Sequence, residues 1–118
     1  MKVSNYKDLI VWQKAMDLSV ALYKSTSSFP KEEVYGITAQ MRRAAVSVVS
    51  NIAEGHSRNT TGEYRQFLGV AKGSLCELET QIMLSNRLNY LSDESTAKLL
   101  SISDEVGKMI VAIKAKLT

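Results

Sequence analysis

The chain has 118 residues, 45% of them apolar and 23% charged, which excludes a disordered segment and leaves room for one core and no second domain. Its net charge of +3 is far from a histone-like excess and permits, without requiring, an acidic partner. A lone Cys76 rules out an internal disulfide and suits a reducing cytoplasm, and no apolar run approaches the roughly 20 residues of a membrane span.

Charge is uneven along the chain. Residues 1–58 hold eight Lys/Arg against five Asp/Glu, and residues 59–118 hold seven against seven. The first eight residues lack a signal-peptide apolar core. One proline, Pro30, and six glycines over this length favour long helices.

The first helix is expected over about 8–26, with Asp8 at its start and Leu9, Trp12, Ala15, Met16, Ser19, Leu22 and Tyr23 at three- and four-residue steps. Val11 and Leu18 widen that stripe. The hydroxyl run from Ser25 to Ser28, followed by Phe29-Pro30, ends it. The second is expected over 32–56, with Glu32 and Glu33 at its positive end and Gly55 as a stop. It has two faces. Ile37, Met41, Ala44, Ala45, Val48 and Ile52 are apolar. Gln40, Arg43, Ser47, Asn51, Glu54 and Arg58 form a line of short or hydrogen-bonding groups, unlike the Lys/Glu mixture of a solvated face.

Thr60-x-x-Glu63 reads as a capping box for a third helix over 61–89. Gly69 and Gly73 lie four apart inside it, each costing about 1 kcal/mol against alanine. They predict a close helix crossing. Ser92 with Ser95, or Asp93, caps a fourth helix over 94–117 carrying Leu99, Ile102, Val106, Met109, Ile110 and Ile113. Four such helices with short connections predict an all-α, up-down-up-down four-helix bundle as a single domain.

The sequence offers little chemistry. With one histidine, His56, and one cysteine, neither a zinc set nor a di-iron Glu-x-x-His pair can form in one chain, so no metal or cofactor is expected. Cys76 reads as a buried structural thiol and His56 as a helix-end residue. Glu54 and Glu77 could in principle do acid–base work. Four nearby arginines favour a structural polar network instead, drawn from Gln40, Ser47, Asn51, Glu54, Ser74 and Glu77. No enzyme is expected. Arg42, Arg43, Arg58, Arg65 and Lys72 are the candidate phosphate contacts. No aromatic-interleaved basic motif for stacking bases is present.

One resemblance covers nearly the whole chain. Gln40-x-Arg42-Arg43-Ala44-Ala45-x-Ser47-x-x-Ser50-Asn51-Ile52-Ala53-Glu54-Gly55-x-x-Arg58 resembles the signature of the small bacterial four-helix-bundle proteins encoded by intervening sequences in 23S rRNA genes. Tyr6 to Met16 is similar to that family's start, Phe67 to Gln81 to its third helix, and Leu88-Asn89-Tyr90-Leu91 to its last turn. Val49 stands where many relatives have proline, which predicts a straighter second helix. The resemblance implies a cytoplasmic, ring-like homo-oligomer, a pentamer, with no known enzymatic activity. It also implies a distant likeness to the accessory variability determinant proteins of diversity-generating retroelements, which bind nucleic acid. Two expectations follow: a homo-oligomer that associates with RNA or DNA through repeated arginine patches, or a scaffold for a protein partner whose arginines are spent internally.

Overall fold

The computed structural model describes residues 5–117. Its helices are α1 (Ile10–Thr26), α2 (Ile37–His56), α3 (Thr61–Arg87) and α4 (Asp93–Lys116), with no strand among the described residues. They form a square in chain order. α1 packs on α2, α2 on α3, α3 on α4 and α4 on α1, with no contact across either diagonal. At about 1.5 Å per residue the 27 residues of α3 span most of the molecule's 44 Å length.

The core is what the three- and four-residue steps dictate. Leu18 and Leu22 of α1, Met41, Val48 and Ile52 of α2, Leu68, Leu75, Leu78 and Ile82 of α3, and Leu99, Val106 and Ile110 of α4 are all buried. The double apolar stripe of α1 divides. Val11, Ala15, Leu18 and Leu22 turn inward, whereas Met16, Val20 and Tyr23 remain exposed.

The starts of α1 and α2 differ from expectation. Residues 6–8 form a 3-10 turn, because the Asn5 side chain accepts the Lys7 N–H at 2.9 Å and closes that turn before α1 begins at Ile10. Residues 31–33 form a second 3-10 turn, and α2 begins only at Ile37. Here Glu33 works as a junction. One carboxylate oxygen accepts the Ile37 N–H at 3.4 Å, and the other accepts the Tyr90 hydroxyl at 3.0 Å. Tyr90 also packs its ring on Phe29 at 5.4 Å, so the α1–α2 connection is tied to the α3–α4 turn. α2 then runs through Val49 without a break.

The caps agree with the sequence. Thr60 Oγ1 accepts the Glu63 N–H at 3.1 Å and donates to the Glu63 carboxylate at 3.0 Å. Ser92 Oγ accepts the Ser95 N–H at 3.1 Å. α3 ends two residues early because Asn89 takes a left-handed φ of 65°. Tyr90 N–H then reaches Ser85 O at 2.9 Å and Asn89 N–H reaches Asn86 O at 3.0 Å, the paired closure that a left-handed residue permits.

The close helix crossing falls elsewhere than Gly69 and Gly73. A Cβ at Gly73 would meet nothing within 4 Å, and one at Gly69 would meet only the Lys114 ammonium at 3.7 Å. The crossing is at Gly55, where a Cβ would lie 2.7 Å from Phe67 Cβ and 3.1 Å from the Tyr64 ring. α2 and α3 come together along more of their length than any other pair, and Gly55 lets their joined ends converge. Cys76 is exposed, not buried, because it follows Leu75 by one residue and so faces away from the core.

Candidate functional site

The polar line of α2 lies along the seam with α3. Ser47 Oγ and Ser74 Oγ share a hydrogen bond of 2.8 Å, and Asn51 Nδ2 donates to Ser47 O at 2.8 Å and Ser47 Oγ at 3.1 Å. These three residues form the predicted network. The other candidates stand apart from it. Glu54 lies 3.9 Å from Arg58 in an exposed pair, Glu77 accepts Gln81 Nε2 at 3.2 Å, and Gln40 is exposed.

The five candidate phosphate contacts occupy three places. Arg42 is committed to its own chain. Its Nε donates to Thr26 Oγ1 at 3.0 Å, its Nη2 donates to Tyr23 O at 3.2 Å, and its guanidinium lies 4.6 Å from the Tyr23 ring centre. It ties α2 to the last turn of α1. Neighbouring Arg43 is exposed and makes no hydrogen bond or ion pair with the described residues. Both line an open groove of about 770 Å³ with Tyr23, Val34, Ala39 and Val46.

Arg58 and Arg65 lie at the other end of the bundle. Arg58 stacks 4.7 Å from the Phe67 ring centre. Arg65 Nη1 donates to the carbonyls of Lys114 and Leu117, so it caps the C-terminus of α4. Lys72 borders a polar groove with Glu79, Asp104 and Lys108 between α3 and α4, its ammonium 3.9 Å from Cys76 Sγ.

Sequence reasoning missed a basic end. The up-down order brings the α2–α3 turn, the lead-in to α1 and the last turn of α4 together. Lys7, Lys114 and Lys116 therefore join Arg58 and Arg65 at that end. The half containing it, residues 5–16, 47–72 and 105–117, holds eight Lys/Arg against four Asp/Glu. The opposite half, residues 17–46 and 73–104, holds six against eight. Splitting the chain by sequence hides this, since each half of the sequence visits both ends. The signal was present in the helix order.

Two tyrosines have raised pKa values. Burial raises that of Tyr64. For Tyr90 the main cause is the hydrogen bond to Glu33, with burial and the negative charges of Glu33 and Glu32 adding to it. Tyr90 donates its hydroxyl to Glu33 at 3.0 Å, and the Tyr64 ring lies edge-on to that of His56 at 5.7 Å. Among the described residues no cluster of His, Cys, Asp and Glu could hold a metal ion, and no helix is long and apolar enough to cross a membrane.

The profile of the 23S rRNA-intervening sequence protein family matches residues 7–112. The chain belongs to this family. It is also similar to the crystal structure, at 1.70 Å resolution, of a protein with unknown function from the S23 ribosomal protein family of Bacteroides thetaiotaomicron VPI-5482. The TM-score is 0.80 at 21% identity, covering 89% of this chain and 98% of that one. At that identity the likeness establishes the fold. No curated protein matches the chain. The Ser47–Asn51–Ser74 seam and Gly55 lie inside the matched segment.

Proposed function

We propose that this family member is a non-catalytic, self-associating binding protein that holds the phosphate backbone of a nucleic acid at the basic end of its bundle. The separation of charge between the two ends carries this reading. Copies that pack side by side through their helix faces into a ring set their basic ends next to one another. Each modest patch then becomes one of several on a shared surface. Lys7, Arg58, Lys114 and Lys116 are the contacts assigned to phosphate. Arg42 and Arg65 hold helices of their own chain, and Arg43 belongs to the side of the bundle. Phosphate contacts fix position without reading sequence, which fits a surface with no base-stacking motif.

Binding to structured RNA and duplex DNA across a salt series tests this. Steep salt dependence is expected, and Lys7→Glu with Lys116→Glu lowers the slope by about one unit per lysine removed. Lys31→Glu with Lys98→Glu, at the opposite end, leaves the slope unchanged. Absence of wild-type binding at low salt, or equal loss from both pairs, overturns the assignment. A second reading, a scaffold for a protein partner, is favoured by the donors that Arg42 and Arg65 spend within the chain. A partner retained after nuclease treatment, with no nucleic acid bound, selects it.

A further inference from the structure

A second, smaller cavity of about 350 Å³ lies where α1 hands over to α2, at the end of the bundle away from the basic one. Phe29, Pro30 and Val34 supply its apolar walls, and Lys31, Thr38 and Arg42 polar ones. No carboxylate lines it. It meets the larger α1–α2 groove at Val34, Thr38 and Arg42. Thr38 is the unusual member. It is only 5% exposed, yet its Oγ1 has no hydrogen-bond partner in the chain. A buried hydroxyl is costly when left unpaired. Thr38 also lies in the first turn of α2, where the helix dipole favours negative charge. Arg42 follows one helical turn later, on the same side. Its Nε and Nη2 are held by Thr26 Oγ1 and Tyr23 O, and neither bond uses Nη1. Lys31 is exposed and forms no ion pair among the described residues.

We propose that this cavity binds a small organic monoanion, a carboxylic acid with a short apolar body. The carboxylate takes the Thr38 hydroxyl and the Arg42 guanidinium, with Lys31 beside them. The apolar body lies against Phe29, Pro30 and Val34. The unpaired Thr38 Oγ1 thereby gains the acceptor it lacks, and Arg42 meets the anion already fixed in place, so little freedom is lost on binding. An organic cation finds no carboxylate in the lining. Glu33 is close in sequence, but its carboxylate already accepts the Ile37 N–H and the Tyr90 hydroxyl. A monoanion suits the site better than a phosphate dianion. Glu32 and Glu33 follow Lys31 directly, and this half of the bundle holds six Lys/Arg against eight Asp/Glu, so a second negative charge is disfavoured. The cavity has less than half the volume of the neighbouring groove, which suits a short chain.

Isothermal titration of the whole protein with hexanoate tests this. The protein is expected to bind one hexanoate per chain, with acetate, 1-hexanol and hexylamine each weaker by about tenfold or more. Thr38→Val keeps the shape of the side chain and removes its hydroxyl. It should weaken hexanoate binding about tenfold. Without ligand it should raise the urea unfolding midpoint, because no bond within the chain is lost. Lys31→Gln, at an exposed position, should weaken binding about two- to fivefold. Lys7→Glu with Lys116→Glu, at the basic end, should leave hexanoate binding unchanged, which separates this site from the one proposed for phosphate. Absence of hexanoate binding at millimolar concentration overturns the proposal, as does hexylamine or acetate binding equally well. Unchanged affinity or a lowered unfolding midpoint in Thr38→Val, or equal loss from the basic-end pair, overturns it too.

Discussion

Gly55 and Gly62 differ in what surrounds them, and substitution by alanine should separate the effects. A methyl group at Gly55 would press on Phe67 Cβ at 2.7 Å. Gly55→Ala should therefore destabilise the fold by about 1–3 kcal/mol, despite alanine's better helix propensity. Gly62 has nothing within 4 Å, and Gly62→Ala should stabilise it by about 0.5–1 kcal/mol. Urea unfolding midpoints measure both. Tyr90 gives a pH dependence. The folded protein holds its phenolic proton more tightly than the unfolded chain, chiefly through the hydrogen bond to Glu33. That stabilisation is complete below the ordinary tyrosine range near about pH 10 and is lost as pH rises through the raised value. Tyr90→Phe should shrink the drop in unfolding midpoint between about pH 8 and about pH 10.5. It should not abolish it, because Tyr64 is shifted in the same direction. A variant with the full wild-type drop would show that the Glu33 bond does not form in solution.

At the scale of the helices, the sequence was most legible where one residue type has one physical role. Thr60 and Ser92 cap α3 and α4 as their side chains allow. Thr60→Ala should cost about 1 kcal/mol, read from the same unfolding curves. The starts of α1 and α2 were less legible, because Asn5 and Glu33 act through side-chain bonds that no local pattern announces. The apolar surplus of α1 was visible as a stripe widened by Val11 and Leu18. Only the packed bundle decides that Leu18 and Leu22 form the core while Met16 and Tyr23 face outward. Cys76 and the glycines of α3 were misread for a related reason. Spacing gives the face of a helix, but what covers that face is a property of the neighbouring helices. The sequence grouped Arg42, Arg43, Arg58 and Arg65 only as candidate phosphate contacts. The antiparallel order of α2 and α3 sends Arg42 and Arg43 to the side of the bundle and Arg58 and Arg65 to its end.

At the scale of the whole molecule, two asymmetries stand out against an otherwise ordinary bundle. Charge is separated along its length, and exposed apolar groups are concentrated on two of its sides. The first was hidden in the sequence because the basic end is assembled from three separated segments. The second was half visible, as surplus apolar positions on α1 and a specific polar line on α2. Nine large apolar side chains are exposed on these two sides, the α1–α2 side and the outer face of α3, the kind of surface that the proposed self-association needs. Assembly through those sides would cover them and leave the basic ends aligned. The measurement that tests this most directly is the mass of the purified protein by light scattering over a dilution series. The account predicts one particle of fixed mass, a whole multiple of the 13.1 kDa chain, held over a wide concentration range. A particle of 13.1 kDa at every concentration would contradict it.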